Sequence, residues 1–199
     1  METLSIPLFP LNAVLFPGGP MPLRIFEPRY MDMVSHCLKT DSAFGVCLIQ
    51  HGQEGGRAAV PHRVGTLARI IDWDKLPEGL LGIVVLGNDR FSIESTQIGR
   101  NQLLSGTVTV LPEPATENLP SELNILPRLL EQIITEAGPM YDFVPHNFDD
   151  ANWIGYRLAE ILPLEPQIRQ KLLEMENSLE RLHEIHSSIE IYMDRGSGS

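Results

Sequence analysis

The placement of proline constrains this chain more than any other feature. In the first thirty residues the apolar runs Ile6-Pro7-Leu8-Phe9-Pro10-Leu11 and Val14-Leu15-Phe16-Pro17-Gly18-Gly19 lead into Pro22-Leu23-Arg24-Ile25-Phe26-Glu27-Pro28-Arg29-Tyr30. Proline lacks a backbone donor and is confined to strand edges, strand ends and turns. The chain is therefore expected to enter as short, bent strands, and their edges between Ile6 and Pro22 are expected to be open to an added strand. Pro28 suits the first turn of a helix. Tyr30, Met33, Val34, Cys37 and Leu38 then recur at helical spacing, which predicts a helix from Pro28 to near Lys39.

Between residues 43 and 111 the signals are those of strands. Ala43 to Gln50, Val64 to Trp73 and Leu80 to Leu86 are apolar or β-branched runs, Gly87-Asn88-Asp89 reads as a tight turn, and Arg90 to Glu94 and Thr107 to Val110 alternate. Short strands separated by turns point to a closed or nearly closed antiparallel barrel. His51 to Arg57 has three glycines and no periodicity, and reads as a mobile surface loop.

Pro112, Pro114 and Pro120 then mark a seam. It divides the chain into a β domain over residues 1–117 and a helical domain over 118–195, with 196–199 a flexible tail. Leu123 to Ile134 forms an amphipathic helix stopped at Gly138-Pro139, and Asp149 and Asp150 can cap a second helix carrying Trp153 to Leu162. A third, about 30 residues long, starts at Glu165-Pro166 with an apolar stripe of Ile168, Leu172, Met175, Leu179, Leu182, His186, Ile189 and Met193. Short connections favour burying that stripe within the chain over a coiled coil, so a monomer or weak homodimer is expected.

Charge narrows the function classes. The net charge is −11, with 9 Lys or Arg against 10 Asp or Glu in residues 1–111 and 6 against 16 in residues 112–199. An acidic half repels phosphate backbones and anionic lipids, which disfavours nucleic acid as a partner. No apolar run approaches the length of a membrane span, and the chain reads as soluble and cytoplasmic. Cys37 and Cys47 lack metal-like spacing and read as small buried hydrophobes.

Catalytic signatures are missing. There is no Gly-x-x-x-x-Gly-Lys-Ser/Thr to cradle phosphates and no Gly-x-Ser-x-Gly elbow, and Lys39, Lys75 and Lys171, the only lysines, have no recognisable dyad setting. The best metal candidate, His183-Glu184-Ile185-His186 with Glu180 one turn earlier, lacks further ligands, and His51 and His62 flank a flexible loop. The expectation is therefore no catalytic, cofactor or metal site. Arg24, Glu27, Arg29 and Tyr30 gather at the strand-to-helix junction, with Arg90 a comparable position farther on. Structurally they read as an ion pair and a tyrosine anchor. Functionally they read as one wall of a peptide-binding groove completed by the seam.

The opening thirty residues resemble the N-terminal substrate-binding domain of Lon proteases. The resemblance continues through Phe44-Gly45-Val46, Val64 to Ile70, Gly87-Asn88-Asp89-Arg90-Phe91-Ser92-Ile93, Trp153 to Leu164, Gln170 to Glu174 and Arg181-Leu182. It implies an α+β fold in which a PUA-like β pseudobarrel with one inserted helix is followed by a helical bundle. It also implies a free-standing, bacterial-type, peptidase S16 Lon-like protein without ATPase or protease domains, whose partner is unfolded or extended polypeptide or another protein. Two alternatives stay open: an RNA-binding PUA-like protein, and a small-molecule binder or enzyme with a pocket between the halves.

Overall fold

The structure, a computed structural model, describes residues 2–115, 117–137, 141 and 144–196. It is mixed α+β and resolves into two compact units, Met1–Glu113 and Pro114–Ser199. The first unit comprises β1 (Thr3–Leu11), β2 (Pro20–Ile25), α1 (Pro28–Thr40), β3 (Phe44–His51), β4 (Val60–Pro61), β5 (Val64–Lys75), β6 (Leu81–Ile98) and β7 (Leu104–Val110). The second holds α2 (Ile125–Ala137), α3 (Ala151–Ile161), α4 (Pro166–Glu174) and α5 (Ser178–Gly196). Of the tail expected over 196–199, Gly196 is the last residue of α5 and 197–199 lie outside the described residues, as do the stop expected for α2 at Gly138-Pro139 and the side chain of Met193.

Five strands close on themselves in the order β1-β7-β6-β5-β3, because β1 also pairs with β3. That last pairing is parallel, with Leu8 opposite Gly45 and Leu11 opposite Leu48, so the barrel is not purely antiparallel as its turns had suggested. A parallel pair needs a crossover longer than a hairpin. Here β2 and α1 supply it.

Alternation along β1 explains the two cores. Ile6 and Leu8 point into the barrel beside Cys47, Leu67, Phe91 and Val108. Phe9 and Leu11 point the other way and meet Tyr30, Met33, Val34 and Cys37 of α1. The interior is narrow. A Cβ on Gly65 would lie 2.7 Å from the Phe91 ring and one on Gly45 2.6 Å from it, so side chains at either position would displace the ring that fills the barrel.

Gly87-Asn88-Asp89 is not a turn: β6 runs unbroken from Leu81 to Ile98. The glycine serves a close approach instead. Gly18 donates to the Gly87 carbonyl at 2.8 Å, Gly87 donates to the Gly19 carbonyl at 2.9 Å, and a Cβ on Gly87 would sit 2.2 Å from the Phe16 carbonyl oxygen.

The long third helix is also corrected, since Met175 to Asn177 separates α4 from α5. Fully buried Arg181 holds the break. Its guanidinium donates to the Leu172 carbonyl and Asn152 Oδ1 at 2.9 and 2.8 Å and to the Met175 carbonyl, and stacks 4.2 Å from the Tyr156 ring. It thus satisfies carbonyls that a continuous helix would have bonded internally. Asn177 Oδ1 accepts from the Glu180 N–H and starts α5 afresh. The break resets the helical phase, so the buried face of α5 is Ser178, Arg181, Leu182 and Ile185 rather than a stripe through His186.

Two stability predictions follow from these contacts. Gly87→Ala should lower the free energy of unfolding in urea by about 1–3 kcal/mol, against a change within about 0.5 kcal/mol for the exposed neighbour Asn88→Ala. Arg181→Ala, which strands several buried acceptors, should cost at least about 2 kcal/mol by the same measurement.

Candidate functional site

At the strand-to-helix junction, the charged residues form a closed cluster. Glu27 precedes α1 without capping it through its side chain; its carboxylate lies 2.9 Å from the Arg29 guanidinium. Arg29 donates to the Gln102 carbonyl at 2.7 Å and lies 4.6 Å from the Tyr30 ring centroid, and Tyr30 stacks on Phe9 at 4.1 Å. Arg29 and Tyr30 are buried. Burial pushes the Tyr30 phenol up, with Arg29 opposing and Glu27 and Glu54 adding to the shift. Arg90 is buried too, with its Nη2 donating to the Pro112 carbonyl at 3.2 Å. These contacts pin α1 to β1 and to the β6–β7 turn, and β6 to the end of the first unit.

Arg24 is different. It is exposed on β2 and lines an outward-facing groove of about 490 Å³. Strand register builds that groove: Arg24 lies opposite Gly82, and Gly82 opposite Asp74, while Pro22, Val84 and Asp72 form the next row. Gly82 has no side chain, and Leu76 packs over it, where a Cβ would meet Leu76 Cγ and Cδ1 at 3.1 Å, so Leu76 lies in the groove between Arg24 and the two aspartates.

The far wall is an open sheet edge. β3 pairs with β5 only through Thr66, Leu67 and Ala68, and no strand among the described residues pairs with the outer side of Arg69 to Lys75. Ile71 and Trp73 are 42% and 59% exposed there. Trp73 N–H donates to Asp72 Oδ1 at 2.9 Å and Lys75 N–H to Asp74 Oδ1 at 2.7 Å, so the two outward donors are capped by the preceding carboxylates. The edges expected between Ile6 and Pro22 are shorter than this one: β1 pairs with β7 through Thr3 to Leu8 and with β3 through Leu8 to Leu11, and β2, paired with β6, carries Pro20 and Pro22. Sequence reading missed Asp72-Trp73-Asp74. Its signal was an Asp-x-Asp alternation around an aromatic at the end of a β-branched run, a pattern that suits an edge strand.

The remaining candidates do not converge. His183 is exposed, His186 is half-buried, and Glu184 takes Lys171 Nζ at 2.6 Å. Among the described residues no three His, Cys, Asp or Glu side chains gather. Cys37 and Cys47 are buried free thiols, both pushed up by burial. Asp150 caps α3 by accepting from Asn152 N–H at 3.0 Å. On α3 the Arg157 guanidinium meets Glu160 at 3.0 Å, and Glu160 accepts from the Tyr141 hydroxyl at 2.6 Å. Burial raises the Glu160 carboxyl, and Arg157 and the tyrosine hydrogen bond pull it back.

Comparison with known proteins accounts for this frame. Residues 5–190 match the family described as the ATP-dependent protease La (LON) substrate-binding domain. A Lon N-terminal domain protein from Xanthomonas campestris has a similar structure, with a TM-score of 0.77 and 36% identity over 92% of this chain and 98% of that one. The N-terminal domain of the Mycobacterium avium complex Lon protease shares the fold at a TM-score of 0.64 and 18% identity, over 92% and 96% of the two chains. The Lon protease of Cytophaga hutchinsonii is 26% identical over 88% of this chain, which amounts to 23% of its own length. For Lon protease 2 of Myxococcus xanthus the figures are 25%, 93% and 25%. The chain thus spans about a quarter of these Lon proteases, and on the family match it belongs to the Lon substrate-binding domain family.

Proposed function

We propose that this chain is a non-catalytic polypeptide-binding module that holds extended segments along the outer edge of β5. The observation that carries this reading is the unpaired stretch from Arg69 to Lys75, with Trp73 more than half exposed beside it. An open edge offers backbone hydrogen bonds to any extended chain, and an aromatic beside it adds apolar contact without demanding a particular sequence. Family membership supports a substrate-binding role. Arg24 contributes the opposite wall of the groove, while Glu27, Arg29, Tyr30 and Arg90 act indirectly by holding the frame that presents it.

The absence of catalysis is part of the proposal. The Gly52 to Gly56 loop, the nearest thing to a phosphate cradle, carries Glu54 in place of a lysine, and Glu54 accepts from the Asn12 N–H, which ties the loop to the end of β1. Neither ATP hydrolysis nor peptide cleavage is expected of the purified chain.

A permanently unfolded probe, reduced and carboxymethylated α-lactalbumin carrying a fluorophore, tests the binding surface by anisotropy. Trp73→Ala should weaken capture about tenfold while leaving the urea midpoint unchanged, since the side chain is largely exposed. Arg29→Ala should lower the midpoint and leave affinity of the folded protein near wild type. Wild-type affinity in a folded Trp73→Ala variant would remove β5 as the site.

A further inference from the structure

We propose that the β5 edge selects extended segments in which an apolar residue is flanked on both sides by basic ones. This rests on the reading of β5 as the binding edge and adds the chemistry of its client. The first step is orientation. Trp73 and Lys75 give their N–H groups to the Asp72 and Asp74 carboxylates rather than to β6, so both donors face the open side. An added antiparallel strand would therefore exchange both backbone bonds with Trp73, as a hydrogen-bonded pair.

The pleat then assigns the side chains. Paired residues share a face, and Trp73 is in register with Ile83 and Leu23, on the face that carries the apolar core around Ile83. The incoming residue opposite Trp73 extends that apolar face. Its two neighbours turn to the other face, opposite Asp72 and Asp74, in non-hydrogen-bonded pairs whose Cα atoms approach to about 4.5 Å.

Charge decides what those neighbours must be. Strand addition takes Trp73 N–H and Lys75 N–H away from the two carboxylates, which then need new partners. Lysine or arginine opposite each supplies one, and glutamate there adds repulsion. Arg24 lies across Gly82 from Asp74, two strands and about 10 Å away at the backbone, on the inner side of the aspartates, and among the described residues makes no ion pair with either of them, so their outer side is left to an incoming strand. Lys75 sits on the Trp73 face and opposes a further basic residue on that side, so an unpatterned basic run does not fit equally well. The extra residue at Ile71, where the β5–β6 register shifts, bends the strand and limits the site to Asp72 through Lys75.

Three labelled ten-residue peptides read this out by anisotropy with the full chain in about 0.15 M salt, where long-range attraction is screened. One carries Lys-Val-Lys at its centre, one Glu-Val-Glu, and one has the first peptide's composition with the lysines adjacent and the valine displaced. The first should bind at least about tenfold tighter than the second and several-fold tighter than the third. In Asp72→Lys/Asp74→Lys, both exposed positions, the preference between the first two should invert with the circular dichroism spectrum unchanged. Equal binding of the first and third peptides means simple charge attraction and overturns the pattern. If all three bind alike and Trp73→Ala weakens all three, the pattern fails but β5 stands as the edge. If Trp73→Ala changes neither peptide binding nor capture of unfolded α-lactalbumin, both readings fail. Should the double charge variant lose its fold, Asp72→Asn/Asp74→Asn replaces it, and the tenfold preference must then collapse.

Discussion

Strand β1 is hydrogen-bonded on both sides, antiparallel to β7 and parallel to β3, and the first unit depends on that double pairing. It closes the ring of five strands and removes the two edges that an open sheet would expose. Closure of so few strands leaves little interior room. Phe91 and Leu8 take it, and Gly45 and Gly65 give way to them. The parallel pairing also requires a crossover, and the chain spends β2 and α1 on it. The cluster of Glu27, Arg29, Tyr30 and Phe9 then fixes that crossover against the barrel.

Closing the ring also determines where an edge remains. β5 and β6 are longer than the ring needs, so their far ends project beyond the pairing with β3 and carry β2 on one side only. The two outer strands of this extension are protected by different chemistry. β2 carries prolines at positions 20 and 22, which cannot donate under any condition. β5 covers its outward donors with aspartates, and a carboxylate can be displaced. Proline removes the donor altogether, whereas the donors covered by Asp72 and Asp74 are still present, which is what the proposed binding at β5 requires.

Much of this was legible in the sequence where the signal was local. Pro28 and the spacing of Tyr30, Met33, Val34 and Cys37 marked α1, which runs from Pro28 to Thr40. The strands followed from short apolar runs and their turns, and the α+β pseudobarrel from the family resemblance. Errors arose where a residue served a distant contact. Gly87 read as a turn because glycine's commonest local use is a turn, yet here it admits the Phe16 carbonyl from far along the chain. The break before α5 was hidden because periodicity continues across it, and only the reach of Arg181 to the Leu172 and Met175 carbonyls shows why the helix stops. Arg29 stood out in the cluster at the strand-to-helix junction, and Arg90 as a comparable position farther on. Sequence could not say that their partners would be backbone carbonyls at Gln102 and Pro112.

The residues that carry the family resemblance and those proposed to meet a client are largely different residues, for a physical reason. Gly87, Arg90, Phe91 and Arg181 are buried and bind backbone, fill the barrel or admit a close approach, and buried Arg157 pairs with Glu160, so each is tied into the frame. Changing one disturbs the frame. Asp72, Trp73 and Asp74 are exposed, and beyond the β6 ladder their recorded hydrogen bonds are local to β5. A side chain at such a position can change without a cost to packing, because the backbone of β5 is held by β6 whatever its outward residues are. The same frame can therefore present an acidic, neutral or basic edge, and on the reading proposed for β5 the choice of client would rest with Asp72, Trp73 and Asp74 on that one strand.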